Sequence, residues 1–178
     1  MKKIQLVILL ILFAGCNNLN KNQQNVLDAN ERINNDVEMY KNVWNTFLNG
    51  DTSVVNSDNF TEDVVVILDT GNIVGIEAVK AHYKQYLDGF SEIEWKIQDA
   101  FGQGDKLIKQ WNFKGRHTGT FFGIPPTGNI LNLSGTTVVT MKDGKIAKEH
   151  DFFDMKSMLD QLMKADGDVI FDGYQPVN

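Results

Sequence analysis

Between Glu92 and Phe153 the chain alternates apolar and polar residues along stretches broken by turn residues, and few folds accommodate that pattern. Ile93, Trp95 and Ile97 alternate with Glu92, Glu94, Lys96 and Gln98, as expected of a half-buried antiparallel strand. Gly102-Gln103-Gly104-Asp105 reads as a turn, Leu107 to His117 as a long strand, and Asn129 to Met141 as another. Asp143-Gly144 predicts a tight hairpin, because both residue types tolerate positive φ, and Lys145 to Phe153 completes it. Ahead of this block, the apolar run Val64 to Leu68 reads as a strand covered on both faces. Helical spacing of Val37, Tyr40, Trp44 and Phe47, widened by Val43 and Leu48, predicts a first helix from about Asn35 to Leu48, stopped at Gly50-Asp51. A short helical turn fits between Thr52 and Phe60. A second helix is expected from about Ile76 to Leu87, with Val79, His82, Tyr83, Tyr86 and Leu87 on its apolar face and Phe90 closing it. Asp154 can cap a last helix buried through Met155, Met158, Leu159, Leu162 and Met163. This order predicts an α+β domain in which helices cover one face of a bent antiparallel sheet. A strongly curved sheet closed by helices encloses a concave cavity, a natural ligand site.

The N-terminus has another character. Lys2 and Lys3 precede an apolar run from Ile4 to Ala14 broken only by Gln5, short for a permanent span but suited to a signal peptide. It ends in Leu12-Phe13-Ala14-Gly15-Cys16, which resembles the lipobox of bacterial lipoproteins; an ordinary signal peptide or a short buried helix are the alternatives. The resemblance implies cleavage before Cys16, a lipid on its sulfur and anchorage to a membrane of the cell envelope. The expected organisation is a signal peptide (1–15), a flexible Asn- and Gln-rich tether (16–30), one domain (31–165) and a patternless tail (166–178).

Cys16 is the only cysteine, so the domain has neither an internal disulfide nor a thiol nucleophile. The net charge of −6 counts Lys2 and Lys3, and removing their two positive charges leaves −8. Such a balance argues against nucleic acid and against an electrostatic grip on anionic lipid. At 42% hydrophobic residues the chain can bury a sizeable core.

Candidate chemistry concentrates on the last strand. Alternation puts Ala147, Glu149, Asp151 and Phe153 on one face and Ile146, Lys148, His150 and Phe152 on the other. If the first face lines the cavity, the two carboxylates repel each other and lose solvent, which raises a carboxylate towards the range of a general base. At a wet edge they would only be solubilising. His117 shares a strand face with Trp111 and Phe113. It reads either as a packed histidine bonded to a carbonyl or as a donor to a substrate oxygen. Trp44, Trp111, Phe113 and Phe153 are candidates for an aromatic pocket wall, with core packing the alternative for each. The spacing of His82, His117 and His150 matches no metal site. His82 reads as a core histidine. Ser134 lies in no nucleophile elbow, and no phosphate-binding glycine loop is present. Asn59-Phe60-Thr61 fits a glycosylation acceptor, which carries little weight in a bacterial lipoprotein.

The stretch Gly115-Arg116-His117-Thr118-Gly119-Thr120-Phe121-Phe122-Gly123-Ile124-Pro125-Pro126-Thr127-Gly128 resembles the hallmark segment of the SnoaL-like polyketide cyclases, or ester cyclases. Weaker matches keep the family order: Trp44-Asn45 with Leu48-Asn49-Gly50-Asp51, Gly75 to Lys80, Ser134-Gly135, Asp143-Gly144-Lys145-Ile146 and Gln161-Leu162. The resemblance covers roughly Tyr40 to Met163. It implies a nuclear transport factor 2-like cone, commonly a dimer through the outer sheet face. It also implies cofactor-independent chemistry with no metal, acting on a small apolar oxygenated molecule. Asp151 falls where these cyclases carry their acid/base aspartate, which implies proton abstraction from a polyketide ester followed by an intramolecular aldol step. Two histidines of the family pattern are absent, with Thr137 and Glu149 at the corresponding positions. Those departures favour a second reading, a binding protein for an apolar ligand that does no chemistry.

Overall fold

The computed structural model describes residues 2–68 and 71–164, with side chains from residue 21 onward; the expected tail at 166–178 and the side chain of Cys16 lie outside this range. Helix α1 (Lys2–Leu48) is followed by a single 3₁₀ turn (Thr52–Val54), strands β1 (Phe60–Ile67) and β2 (Ile73–Val74), and helix α2 (Ile76–Gly89). Strands β3 (Phe90–Gln103), β4 (Lys106–His117), β5 (Ile130–Lys142) and β6 (Lys145–Phe153) follow, and α3 (Met155–Met163) closes the fold. The strands form one curved, open six-stranded sheet in the order β2-β1-β6-β5-β4-β3, antiparallel except where β1 runs parallel to β6.

Turn chemistry sets the strand ends. Asp143 and Gly144 both adopt positive φ (53° and 74°), the geometry of a two-residue turn whose twist matches the strands it joins. The Asp154 carboxylate accepts from the Ser157 amide at 2.9 Å, capping α3. Gln161 on α3 accepts from the Asn132 amide (2.8 Å) and donates to its carbonyl (3.1 Å), tying the helix to β5.

Three elements depart from expectation. The first helix does not begin near Asn35 but runs from Lys2. No proline interrupts it, and no glycine lies between Gly15 and Gly50, so it continues without an apolar stripe. Tertiary packing starts only at Ile33, and residues 21–32 are all exposed. Strand β1 begins at Phe60, and only one of its faces is fully covered: Val64 and Val66 are buried while Val65 and Ile67 are half-buried. On β6 strict alternation fails. A register shift between the Thr140 and Met141 pairings makes Ala147 an extra residue, so Ile146 is buried on the same side as Glu149 rather than opposite it.

Two apolar clusters result. One joins Ile33, Tyr40, Val43, Trp44 and Phe47 of α1 to Phe60, Val64, Val66, Leu107 and Ile146 of the sheet. The other joins Phe90, Trp111, Phe113, Leu131 and Leu133 to Phe121 and to Met158 and Leu162 of α3. Trp95 packs against both.

Candidate functional site

Along β4 the inward positions are Leu107, Lys109, Trp111, Phe113, Gly115 and His117, all buried. A charged residue in that row is the anomaly of the strand, because a buried ammonium is costly unless compensated. Lys109 is 4% exposed. Its Nζ stands 5.1 Å from the ring centroids of Tyr40 and Trp44 and 5.3 Å from that of Trp95. Loss of solvent lowers its pKa, while Glu149 and Asp151 oppose the shift; the three π faces also favour the ammonium.

Opposite Lys109 in the sheet lies Thr137, and opposite Thr137 lies Asp151. The indole Nε1 of Trp111 donates to Thr137 Oγ1 (3.0 Å), and the Thr137 hydroxyl donates to Asp151 Oδ1 (2.5 Å). From α2, the Tyr83 hydroxyl reaches Asp151 Oδ2 (2.8 Å) and Glu149 Oε2 (3.2 Å). Glu149 is wholly buried. The Tyr40 hydroxyl and the Trp44 indole (3.1 Å) donate to its Oε1. Burial raises the Glu149 pKa to about 7; Lys109 opposes this, repulsion from Asp151 adds to it, and the Tyr40 and Tyr83 hydroxyls oppose it. Desolvation therefore outweighs a cation and two donors together.

Proton counting orders this network. Tyr83 has one hydroxyl proton and two carboxylate neighbours, and the shorter contact is to Asp151. The Glu149 contact is satisfied when Glu149 is protonated and donates to the Tyr83 oxygen. The bonds then run one way, from Glu149 through Tyr83 to Asp151, with Trp111 and Thr137 converging on it from the other side. Asp151 is left as the acceptor at the end of both chains.

Asp151 also borders open space. An inner chamber of about 40 Å³ is lined by Trp44, Tyr83, Trp95, Lys109, Trp111 and Asp151, with Leu48, Tyr86, Phe113 and Phe153 completing it. An outer chamber of about 380 Å³ is lined by Asp151, His82, Tyr86, Phe121, Phe122 and Met158 among others. Asp151, Tyr86 and Phe153 belong to both walls. A larger groove of about 660 Å³ beside Asn56 and Gly75 is open to solvent and contains none of these groups.

Of the residues singled out from the sequence, Asp151, Trp44, Trp111, Phe113 and Phe153 meet at the inner chamber. Glu149 lies behind it and lines neither chamber, but it is hydrogen-bonded to Tyr83 and Trp44, which line the inner one. His117 is not brought to the site. It lies eight residues along β4 from Lys109, roughly 26 Å of strand. There it is wholly buried, with Nδ1 at 3.0 Å from Thr127 Oγ1 and its ring 5.3 Å from that of Phe90. Desolvation lowers its pKa. The twist and length of β4 separate residues that period-2 reasoning places on one face. His82, read as a core residue, lines the outer chamber with its ring 5.0 Å from Phe122, and desolvation lowers its pKa against the pull of Asp151. Sequence reading missed Lys109 as a site residue, although a lysine between Leu107 and Trp111 on the apolar face of a strand was the available signal. Tyr40 and Tyr83 gave no signal beyond helical spacing. Among the described residues no cluster of His, Cys, Asp and Glu could hold a metal ion.

Comparison with known proteins fits this geometry. No curated protein matches the chain significantly. Similar folds occur in a SnoaL-like polyketide cyclase from Jannaschia sp. CCS1 (TM-score 0.67, 22% identity, covering 72% of this chain and 92% of that one). They also occur in AclR from Streptomyces galilaeus, described as a hydroxylase (TM-score 0.65, 19% identity, 78% and 87% covered). A third is IdmH from Streptomyces antibioticus, described as a polyketide cyclase (TM-score 0.59, 20% identity, 71% and 97% covered). These likenesses are of fold. The sequence profile of the SnoaL-like polyketide cyclases matches residues 35–162, from the packed part of α1 to the last turn of α3, and the chain belongs to that family.

Proposed function

We propose that the protein is an ester cyclase in which Asp151 is the base, acting without a cofactor on a small polyketide-like ester. The observation that carries this reading is the position of Asp151: it borders both chambers, while its oxygens receive Thr137 and Tyr83. A carboxylate held by two donors at a cavity wall has a fixed orientation towards a bound carbon acid, which proton transfer requires. Asp151 removes the acidic proton between two carbonyl groups, and the enolate carbon attacks a ketone carbonyl of the same molecule. A carbon–carbon bond forms, and the new alkoxide takes a proton back. The aromatic walls hold the substrate folded so that the reacting carbons meet, which replaces a bimolecular encounter by an intramolecular one. Thr137 stands where a histidine would be expected from the family pattern, and it keeps a hydroxyl donor on Asp151.

The lipobox-like Leu12 to Cys16 supports placing this activity at the cell envelope, anchored through Cys16. A homodimer through the outer sheet face would cover Phe101 and Val138, both exposed there.

The test is turnover of a panel of β-keto ester and aromatic polyketide ester substrates by the parent and by Asp151→Asn. The parent should convert at least one member, and the variant should lose about 10²–10⁴-fold, the usual share of a general base. Full turnover by Asp151→Asn would assign the base elsewhere. Tight binding without turnover in both proteins would favour a ligand-binding protein.

A further inference from the structure

The acid–base network leaves Lys109 without an assigned partner. Among the described residues its Nζ makes no hydrogen bond, and the ion pairs all lie on the surface. A lysine buried only to neutralise Glu149 would be paired with it. Instead the Glu149 oxygens are taken by Tyr40, Trp44 and Tyr83. The three rings around Nζ compensate the charge through their π faces but accept little from its N–H bonds. A second donor has the same status. The Trp95 indole Nε1 is buried without a hydrogen-bond partner, and its ring is one of the three beside the Lys109 ammonium. Both residues line the inner chamber.

Cation and indole donor share a small compartment whose remaining wall is mostly aromatic, with Asp151 at its border. Its volume, about 40 Å³, exceeds the roughly 10–15 Å³ that one water needs but is far below that of the outer chamber, about 380 Å³. An oxygen-bearing end of a ligand fits there, and the body of the ligand does not. The outer chamber, with Tyr86, Phe121, Phe122, Met155, Met158 and Leu159 in its wall, has room for a flat apolar body. Asp151 stands between the two spaces. A ligand spanning both places its carbon–hydrogen bonds at Asp151 and one oxygen beside Lys109.

We propose that the inner chamber is an oxyanion subsite, in which Lys109, assisted by Trp95, binds the single ionised oxygen of an enolate or phenolate whose apolar body fills the outer chamber. The proposal rests on the reading of this cavity as the acid–base site and adds what that reading lacks, a group that takes up the charge created when the α-proton leaves. Preorganised donors at such a point act strongly because they need no reorganisation as charge develops. Lys109 is then a catalytic residue, and the substrate class narrows to β-keto esters whose enolate charge is carried on one ketone oxygen at the end of an apolar ring or chain. A dianionic ligand is disfavoured by repulsion from Asp151 in the same wall.

The experiment uses 4-nitrophenol as the probe, because its absorbance reports directly whether the bound molecule is neutral or ionised. It is titrated into the parent, Lys109→Met, Lys109→Arg and the double variant Lys109→Met/Glu149→Gln, at a pH about one unit below the probe's own pKa. The double variant also replaces the buried Glu149 carboxyl by an amide that cannot ionise once Lys109 is gone, so it separates loss of the subsite from loss of the fold. The parent should bind the probe as phenolate. Lys109→Met and the double variant should bind it as the neutral phenol, with at least a tenfold loss of affinity for the ionised form, and Lys109→Arg should recover part of that loss. Binding of phenolate by Lys109→Met or by the folded double variant with unchanged affinity would overturn the proposal, as would a parent that binds only the neutral phenol or does not bind at all. Failure of the acid–base reading is distinguished by α-proton exchange: a parent that ionises bound nitrophenol but exchanges no α-proton of a β-keto ester keeps the subsite and loses the base.

Discussion

Glu149 and Asp151 are two residues apart on one strand face, yet their surroundings differ. Asp151 meets the cavity, and Glu149 is sealed behind Tyr83. The consequence is measurable. Glu149 has a folded pKa near 7, raised from 4.5, so between those values the folded state holds a proton that the unfolded chain has released. Stability therefore falls as pH rises from about 4.5 to 7, by on the order of 3 kcal/mol from this group alone. Glu149→Gln should abolish that contribution. Measured by denaturant titration at pH 5 and pH 8, the variant should gain on the parent at the higher pH, and an identical pH dependence in both would contradict a buried neutral Glu149. Much of this was legible beforehand: alternation on β6 placed both carboxylates and Phe153 together. It could not place Ile146, because the extra residue at Ala147 shifts the register there. It passed over Lys109, because a lysine in an apolar row is ordinarily explained by a strand edge, and only the closing of Tyr40, Trp44 and Trp95 around it shows its burial.

At the scale of elements, the site depends on the close approach of β4 and β5 beneath Trp111. Gly135 pairs with Trp111 in register, and a Cβ there would meet the Trp111 ring and stand 2.8 Å from the Phe152 carbonyl oxygen. Backbone on one side and a packed indole on the other leave no room for a methyl group. Gly135→Ala should therefore cost about 1–3 kcal/mol, the range of overpacking in a tight core. It should also displace Trp111 from Thr137, loosening one of the two chains that converge on Asp151. Denaturation midpoints and tryptophan fluorescence would register both effects, and an unperturbed variant would show that the strands have slack. The ends of β6 and α3 were readable from Asp143-Gly144 and Asp154, because turn and cap chemistry act over a few residues. The start of α1 was not readable. The helix before Ile33 has no packed stripe to mark it, and β2, two residues long, is held by β1 rather than by its own pattern.

For the whole molecule, the curved sheet carries two apolar clusters, and the cavity lies where Trp95 touches both. One cluster brings Trp44 and Tyr40 from α1; the other brings Trp111 and Phe113 and borders the outer chamber through Phe121 and Met158. The fold of the family could be anticipated from the order of elements and from the Gly115 to Gly128 stretch, whose Phe121, Phe122 and Ile124 wall the outer chamber. Its His117 nevertheless stays far from the carboxylates, since one strand of this length spans the molecule. The arrangement as a whole supports the proposal that Asp151 is a base for carbon acids, and that is open to direct measurement. The protein and its Asp151→Asn variant would be incubated with a β-keto ester in deuterated water, and exchange of the α-proton followed by NMR above the buffer rate. The account predicts exchange catalysed by the parent and reduced at least a hundredfold in Asp151→Asn, in line with the loss of a general base. Equal exchange by the two proteins, or none above buffer by a parent that binds the ester, would contradict it.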